Sequence, residues 1–203
     1  MSVTVLEASA SSAPQPSRQH HHVPGETGIW VFIFGDMVVF AIMFATYLYY
    51  RGKNVGLFDA SQQLLKPNFG LANTLLLLTS SLFVVWAVGA VRRGVHRPAR
   101  PLIVGAFGCG VAFSVLKIVE YSGKVNAGIT PQTNNFFMFY YVLTGLHWFH
   151  LVIGLAALIY MCFSARRPAL NPKQFAWFEG FGCYWHMVDL LWIVLFPLLY
   201  LVN

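Results

Sequence analysis

The chain has 203 residues, enough for one domain of ordinary size. Hydrophobic residues make up 57% and charged residues 10%, against about 25% charged in a soluble domain. That balance excludes a soluble globular fold, which would expose too much apolar surface, and disorder, which needs low hydrophobicity and high charge. A formal charge of +6 would suggest nucleic acid in a soluble protein. Here the basic residues lie mostly between apolar runs and report topology instead, so no nucleic-acid partner is expected.

Residues 1–23 are rich in Ser, Ala, Pro and Gln and end in His20-His21-His22, which reads as a disordered cytoplasmic tail. It is not a signal peptide, because it lacks a basic start and Glu7 interrupts its only early apolar stretch. Residues 24–203 then hold five apolar segments, near 28–50, 69–91, 101–121, 135–163 and 175–201. Each has at least about 20 residues, enough to cross about 30 Å of hydrocarbon as a helix. Period-2 alternation, which a membrane barrel needs, is absent. The expected fold is all-α, a polytopic bundle of five transmembrane helices.

Breakers separate the segments: Arg51-Gly52-Lys53-Asn54, Arg97-Pro98 with Arg100-Pro101, Ile129-Thr130-Pro131-Gln132, and Arg167-Pro168 with Asn171-Pro172. The side with the tail carries eight Lys and Arg (Arg18, Arg92, Arg93, Arg97, Arg100, Arg166, Arg167, Lys173). The other side carries four, Arg51, Lys53, Lys66 and Lys124. The positive-inside rule therefore puts the N-terminus in the cytoplasm and the C-terminus outside. Cys109, Cys162 and Cys183 lie within apolar segments and form no CxxC pair, so they read as packing residues.

Acidic groups inside a membrane are expensive, so Asp36, Glu120, Glu179 and Asp189 should each face protein or water. Asp36 is the one charge of its helix and has no local partner. It is either protonated or in contact with another helix or water. Lys117 and Glu120 are three apart, on one helical face, and read either as half of an ion path or as a local salt bridge. His147 and His150 share a face, as do His186 and Asp189, and His150 and Asp189 fall at about the same depth. Three histidines and a carboxylate could hold a metal. Paired sites in bundles, however, use Glu-x-x-His on two helices, so polar contacts between packed helices are the simpler reading. Ala41-x-x-x-Ala45 and Ala106-x-x-x-Gly110 would permit close helix contact.

Two stretches carry a resemblance. They are Thr144-Gly145-Leu146-His147-Trp148-Phe149-His150, with Gly154 after it, and Tyr184-Trp185-His186-Met187-Val188-Asp189, followed by Trp192; Glu120-Tyr121 agrees with them. Over residues 24–203 the chain resembles subunit III of haem-copper oxidases, in a short five-helix form. The resemblance implies a non-catalytic subunit without haem or copper of its own, packed on the catalytic subunit I that carries them. It also implies a multi-pass protein of the bacterial inner membrane. In longer members two further helices wall a lipid-holding cleft, which is the basis for expecting bound phospholipid. The family's carbodiimide-reactive Glu follows a Ser, and here the matching pair is Gly35-Asp36. The run Pro24 to Met37 is most similar to the NorE-type branch, which implies a nitric oxide reductase catalytic subunit as the partner. A small proton or ion transporter using Asp36, Glu120 and Asp189 is a reading from another class. The chain shows no internal repeat to support it.

Overall fold

A computed structural model describes residues 27–95, 97–167 and 170–201. The tail predicted over residues 1–23, with its three histidines, lies outside the described residues, as does Glu26. Among the described residues there is no strand, and five helices are long and apolar enough to cross a membrane. They are α1 (Thr27–Lys53), α3 (Pro67–Arg92), α4 (Ala99–Asn126), α5 (Asn135–Ser164) and α6 (Pro172–Tyr200). A short helix, α2 (Val55–Gln62), was not expected from the sequence.

The helix ends follow local chemistry. Pro67 and Pro172 occupy first-turn positions, where the missing N–H is harmless. The Asn134 side chain caps α5 by accepting from the Phe137 N–H at 2.9 Å. Gln174 accepts from the Asn171 N–H at 3.2 Å at the start of α6. Gly94 and Gly128 adopt φ of 75° and 74° just past α3 and α4. This left-handed turn lets the next residue return to the last turn, Val95 N–H to the Ala90 carbonyl and Ile129 N–H to the Lys124 carbonyl, both at 3.0 Å. The third apolar segment of the sequence therefore ends late: α4 continues five residues beyond the Tyr121 end read from hydropathy, to Asn126.

The bundle is built around α6, which packs on α1, α3 and α5, while α3 and α4 make the most extensive helix pair. In α6, 61% of the most apolar 18-residue window is buried, against 17% in α1, which leans on α5 and α6 from the outside. Trp185 shows how α6 engages its neighbours. Its ring lies where a Cβ on Gly110 of α4 or Gly154 of α5 would come within 2.9 Å and 2.7 Å of it, and its Nε1 donates to Ser80 Oγ of α3 at 3.1 Å. One buried side chain thus needs two glycines and a hydroxyl on three helices. Ser80 Oγ in turn donates to the Ala106 carbonyl at 3.0 Å, so the Ala106/Gly110 pair serves contacts inside the bundle. Ala41 and Ala45 instead face outward on α1.

The connection after α1 is more ordered than a polar loop. Arg51 binds Asp59 of α2 at 3.0 Å, Phe58 stacks edge-on to Tyr47 and Phe136, and Asn134 Nδ2 donates to Ser61 Oγ at 2.9 Å. These contacts seat α2 on the ends of α1 and α5.

Candidate functional site

The polar residues described below lie in four places within the bundle and a fifth, an ion pair, at its Arg-rich end. The first joins α1 to α5. His150 Nε2 lies 3.1 Å from Asp36 Oδ2, a close contact that does not meet hydrogen-bond geometry. Asp36, which has no partner on its own helix, is therefore held by another one. On the opposite ring edge, His150 Nδ1 is 2.8 Å from the Leu146 carbonyl. A carbonyl only accepts, so Nδ1 carries hydrogen. Nε2 is thereby left to face the Asp36 carboxyl. The Phe40 ring stands edge-on to His150 at 5.5 Å. The Asp36 side chain is 16% exposed, so the pair lies at the rim of the bundle and can be reached from outside it.

The second place is a buried cluster near the end of α4. Lys117 Nζ donates to Glu120 Oε2 at 2.9 Å and to the Tyr200 hydroxyl at 3.0 Å, and that hydroxyl donates to Glu120 Oε1 at 2.7 Å. Each member thus holds the other two. The ammonium also lies 4.8 Å from the Trp192 ring and 5.4 Å from that of Tyr140, both within cation–π range. Next to it, the Tyr121 hydroxyl meets that of Thr144, whose oxygen also bonds the Tyr140 carbonyl at 2.6 Å. Of the two readings of Lys117 and Glu120, the geometry is that of a local salt bridge, closed by a tyrosine from α6.

The third place joins α3 to α6. His186 Nδ1 is 2.6 Å from Ser81 Oγ, and Asp189 turns toward the same hydroxyl without full hydrogen-bond geometry. His150 and Asp189, at about the same depth by sequence, face different helices: His150 faces α1 and Asp189 faces α3. The fourth place is His147, fully buried between Phe113 and Trp192 at ring separations of 5.7 and 5.2 Å. Neither of its nitrogens meets a hydrogen-bond partner among the described residues. At the Arg-rich end, Arg92 of α3 donates twice to Glu179 Oε1, at 2.6 and 3.1 Å.

The three helix histidines thus diverge toward Asp36, Ser81 and two aromatic rings. Among the described residues no three His, Cys, Asp or Glu side chains come together as a metal-sized group. Sequence reasoning found Asp36, Lys117, Glu120, His147, His150, His186 and Asp189 as intramembrane polar groups, but it missed the partners Ser81, Tyr200 and Arg92. Ser81 and Tyr200 carried no signal, since a lone hydroxyl in an apolar run is common. Arg92 was counted only as a topogenic charge.

A description of cytochrome c oxidase subunit III matches residues 25–203, nearly all of the chain outside the tail. The chain belongs to the cytochrome c oxidase subunit III family. The cytochrome c oxidase subunit 3 of Bacillus sp. strain PS3 is 31% identical over 87% of this chain and 84% of its own length. The cytochrome bo(3) ubiquinol oxidase subunit 3 of Pseudomonas putida is 26% identical over 100% of this chain and 99% of its own. A heme-copper oxidase subunit I+III of Aeropyrum pernix is 28% identical over 87% of this chain but only 22% of its own length. In this subunit III chain both halves of the histidine pair and the Asp189 stretch lie on the two best-buried helices, α5 and α6. Part of the resembling stretches is core, where Gly154 and Trp185 pack on one another and Trp192 covers His147, while Trp148 and Phe149 face outward.

Proposed function

We propose that the chain is a non-catalytic subunit of a bacterial haem-copper oxidase, embedded in the plasma membrane with its N-terminus in the cytoplasm. It packs against the haem-bearing subunit I and carries no haem or copper itself. The observation that carries this reading is the match to subunit III along all five spanning helices. The Aeropyrum pernix relative, which joins I and III in one name, supports subunit I as the neighbour. The outward face of α1 with Ala41 and Ala45 is the surface we assign to that neighbour, because small residues there allow close approach. Any cofactor of the assembly then belongs to the neighbour, and phospholipid is the ligand expected on this chain.

A second reading, an accessory of a nitric oxide reductase, rests on Gly35-Asp36 standing where the oxidase pattern has Ser and Glu. Tagged chain extracted in mild detergent from its native membrane tests both. A haem-bearing complex that reduces O2 supports the first, and one that reduces NO without O2 turnover supports the second. Failure to bring down any haem protein overturns the subunit reading, and stoichiometric metal in the isolated chain overturns the claim that it holds none.

A further inference from the structure

The polar groups of the bundle core differ in whether another side chain answers them. Ser80, Lys117 and Glu120 are buried, and each meets a partner. Asn73 of α3 and His147 of α5 are both 0% exposed, and none of their four side-chain nitrogen and oxygen atoms meets a hydrogen-bond partner among the described residues. Helix register brings the two to one place. Ser80 of α3 bonds the Ala106 carbonyl of α4, and the two helices run in opposite directions. Two turns back along the same face of α3, Asn73 therefore falls opposite Phe113, two turns on along α4. Thr74, the next residue, accepts from Trp192 Nε1 of α6 at 3.1 Å. Phe113 and Trp192 are the two rings that enclose His147.

We propose that the core holds bound water at this junction of α3, α4, α5 and α6, hydrogen-bonded to the His147 ring and the Asn73 amide. Buried polar groups nearly always have a hydrogen-bond partner, and an unmet one is costly where no bulk water reaches. An uncharged imidazole offers one donor and one acceptor, and an amide offers both kinds. The ligand must therefore donate and accept at once, which a bare ion cannot do. A cation is further disfavoured by the Lys117 ammonium, which lies 4.8 Å from the same Trp192 ring. An anion is disfavoured because Glu120, 2.9 Å from that ammonium, already neutralises it. Water is the small molecule that meets both demands. The rings leave the nitrogens reachable: Trp192 is tilted 38° to the imidazole at 5.2 Å, and Phe113 stands edge-on at 5.7 Å, so neither lies flat on it. The inference concerns the bundle core alone and is independent of which enzyme the chain accompanies.

Hydroxyl-radical footprinting of the full chain in nanodiscs tests it, with an X-ray pulse given just after mixing into water enriched in heavy oxygen. Radiolysis of a held water labels the side chains beside it with ordinary oxygen, whereas side chains open to bulk solvent take up the heavy isotope. Trp192 and Trp185 form a matched pair, because their residues are 0% and 1% exposed and both Nε1 groups donate to a hydroxyl at 3.1 Å. Trp192 should take up ordinary oxygen, and Trp185, whose neighbours are satisfied, should stay unlabelled. Tyr49, 60% exposed near the end of α1, should take up the heavy isotope. His147→Phe, which keeps a ring but removes both nitrogens, should bring Trp192 down to the level of Trp185. Asn73→Leu should lower it as well, and decides the matter if His147→Phe does not fold. No label on Trp192 in the wild type shows a dry core and overturns the proposal. Heavy isotope on Trp192 immediately after mixing shows an open path from solvent and overturns held water. Equal Trp192 label in the wild type and the folded variants overturns the assignment to His147 and Asn73.

Discussion

The Lys117–Glu120–Tyr200 cluster makes a quantitative expectation. Lys117 is 2% and Glu120 8% exposed, so neither charge falls back on water when its partner goes. Deleting one member of a buried pair costs about 3–5 kcal/mol, because the other is left uncompensated. Here the survivor keeps Tyr200: the carboxylate keeps its 2.7 Å donor and the ammonium its 3.0 Å acceptor and aromatic faces. That places Glu120→Gln and Lys117→Met at the lower end, about 3 kcal/mol each. The double variant leaves no stranded charge and should cost less than the two single costs together by about 2 kcal/mol or more. Tyr200→Phe removes one donated and one accepted bond to charged groups, at about 1.5–3 kcal/mol for a bond of this type. Equilibrium unfolding in mixed detergent–dodecyl sulfate micelles, followed by far-UV circular dichroism, reads all four. Single costs that add to within about 0.5 kcal/mol would show independent groups and refute the cluster as a unit.

Other expectations follow from particular contacts. A hydrophobic carbodiimide should modify Asp36 in preference to Asp59, since Asp59 is tied to Arg51 in the connection and Asp36 lies within a membrane helix; peptide mapping that finds label only on loop acids sinks this. Asp36→Asn should keep the fold, because the amide retains the size and can still face His150, and should alter the turnover or longevity of the partner enzyme. Unchanged activity over many catalytic cycles would leave Asp36 a purely structural role. Gly154→Ala should cost about 1–3 kcal/mol, because the new methyl would lie 2.7 Å from the Trp185 ring, whereas Gly145→Ala, with nothing within 4 Å, should be tolerated. Equal melting of the two alanine variants would show that Trp185 is free to move aside.

How much of this was legible in the sequence depends on what each feature needs. The five spans were legible because bilayer thickness fixes a minimum apolar length, and only a chain that satisfies its own backbone can cross. Four of the five spans extend by two or more residues at one end beyond the hydropathy limits, for example α4 to Asn126, because helical hydrogen bonding continues after the residues turn polar. The short α2 was missed: eight residues carry too little periodicity, and its reasons for folding, Asp59 to Arg51 and Ser61 to Asn134, come from elsewhere in the chain.

The pairing of the polar groups was less legible, for a reason specific to membranes. A soluble helix announces its inward face by the contrast between apolar and polar residues. Here lipid and core are both apolar, and exposed Val38 and Ile42 look no different in sequence from buried Ile33 and Phe40. Rotation about each helix axis is therefore unread, and with it the partner of any residue whose contact lies on another helix. Lys117 and Glu120 escaped this because they share a helix, so their spacing already offered the bridge as one of two readings. His147 and His150 share one too, yet spacing misled, since a 300° step along the helix sends one ring to Trp192 and the other to Asp36. What the structure adds is therefore a division of labour within one short motif. His147 fills the core without a polar partner among the described residues, while His150, fixed by the Leu146 carbonyl, presents its second nitrogen to a carboxyl at the rim. The Asp36 side chain is 16% exposed and His147 is fully buried, so the two rings of one motif stand at different distances from whatever packs on the bundle.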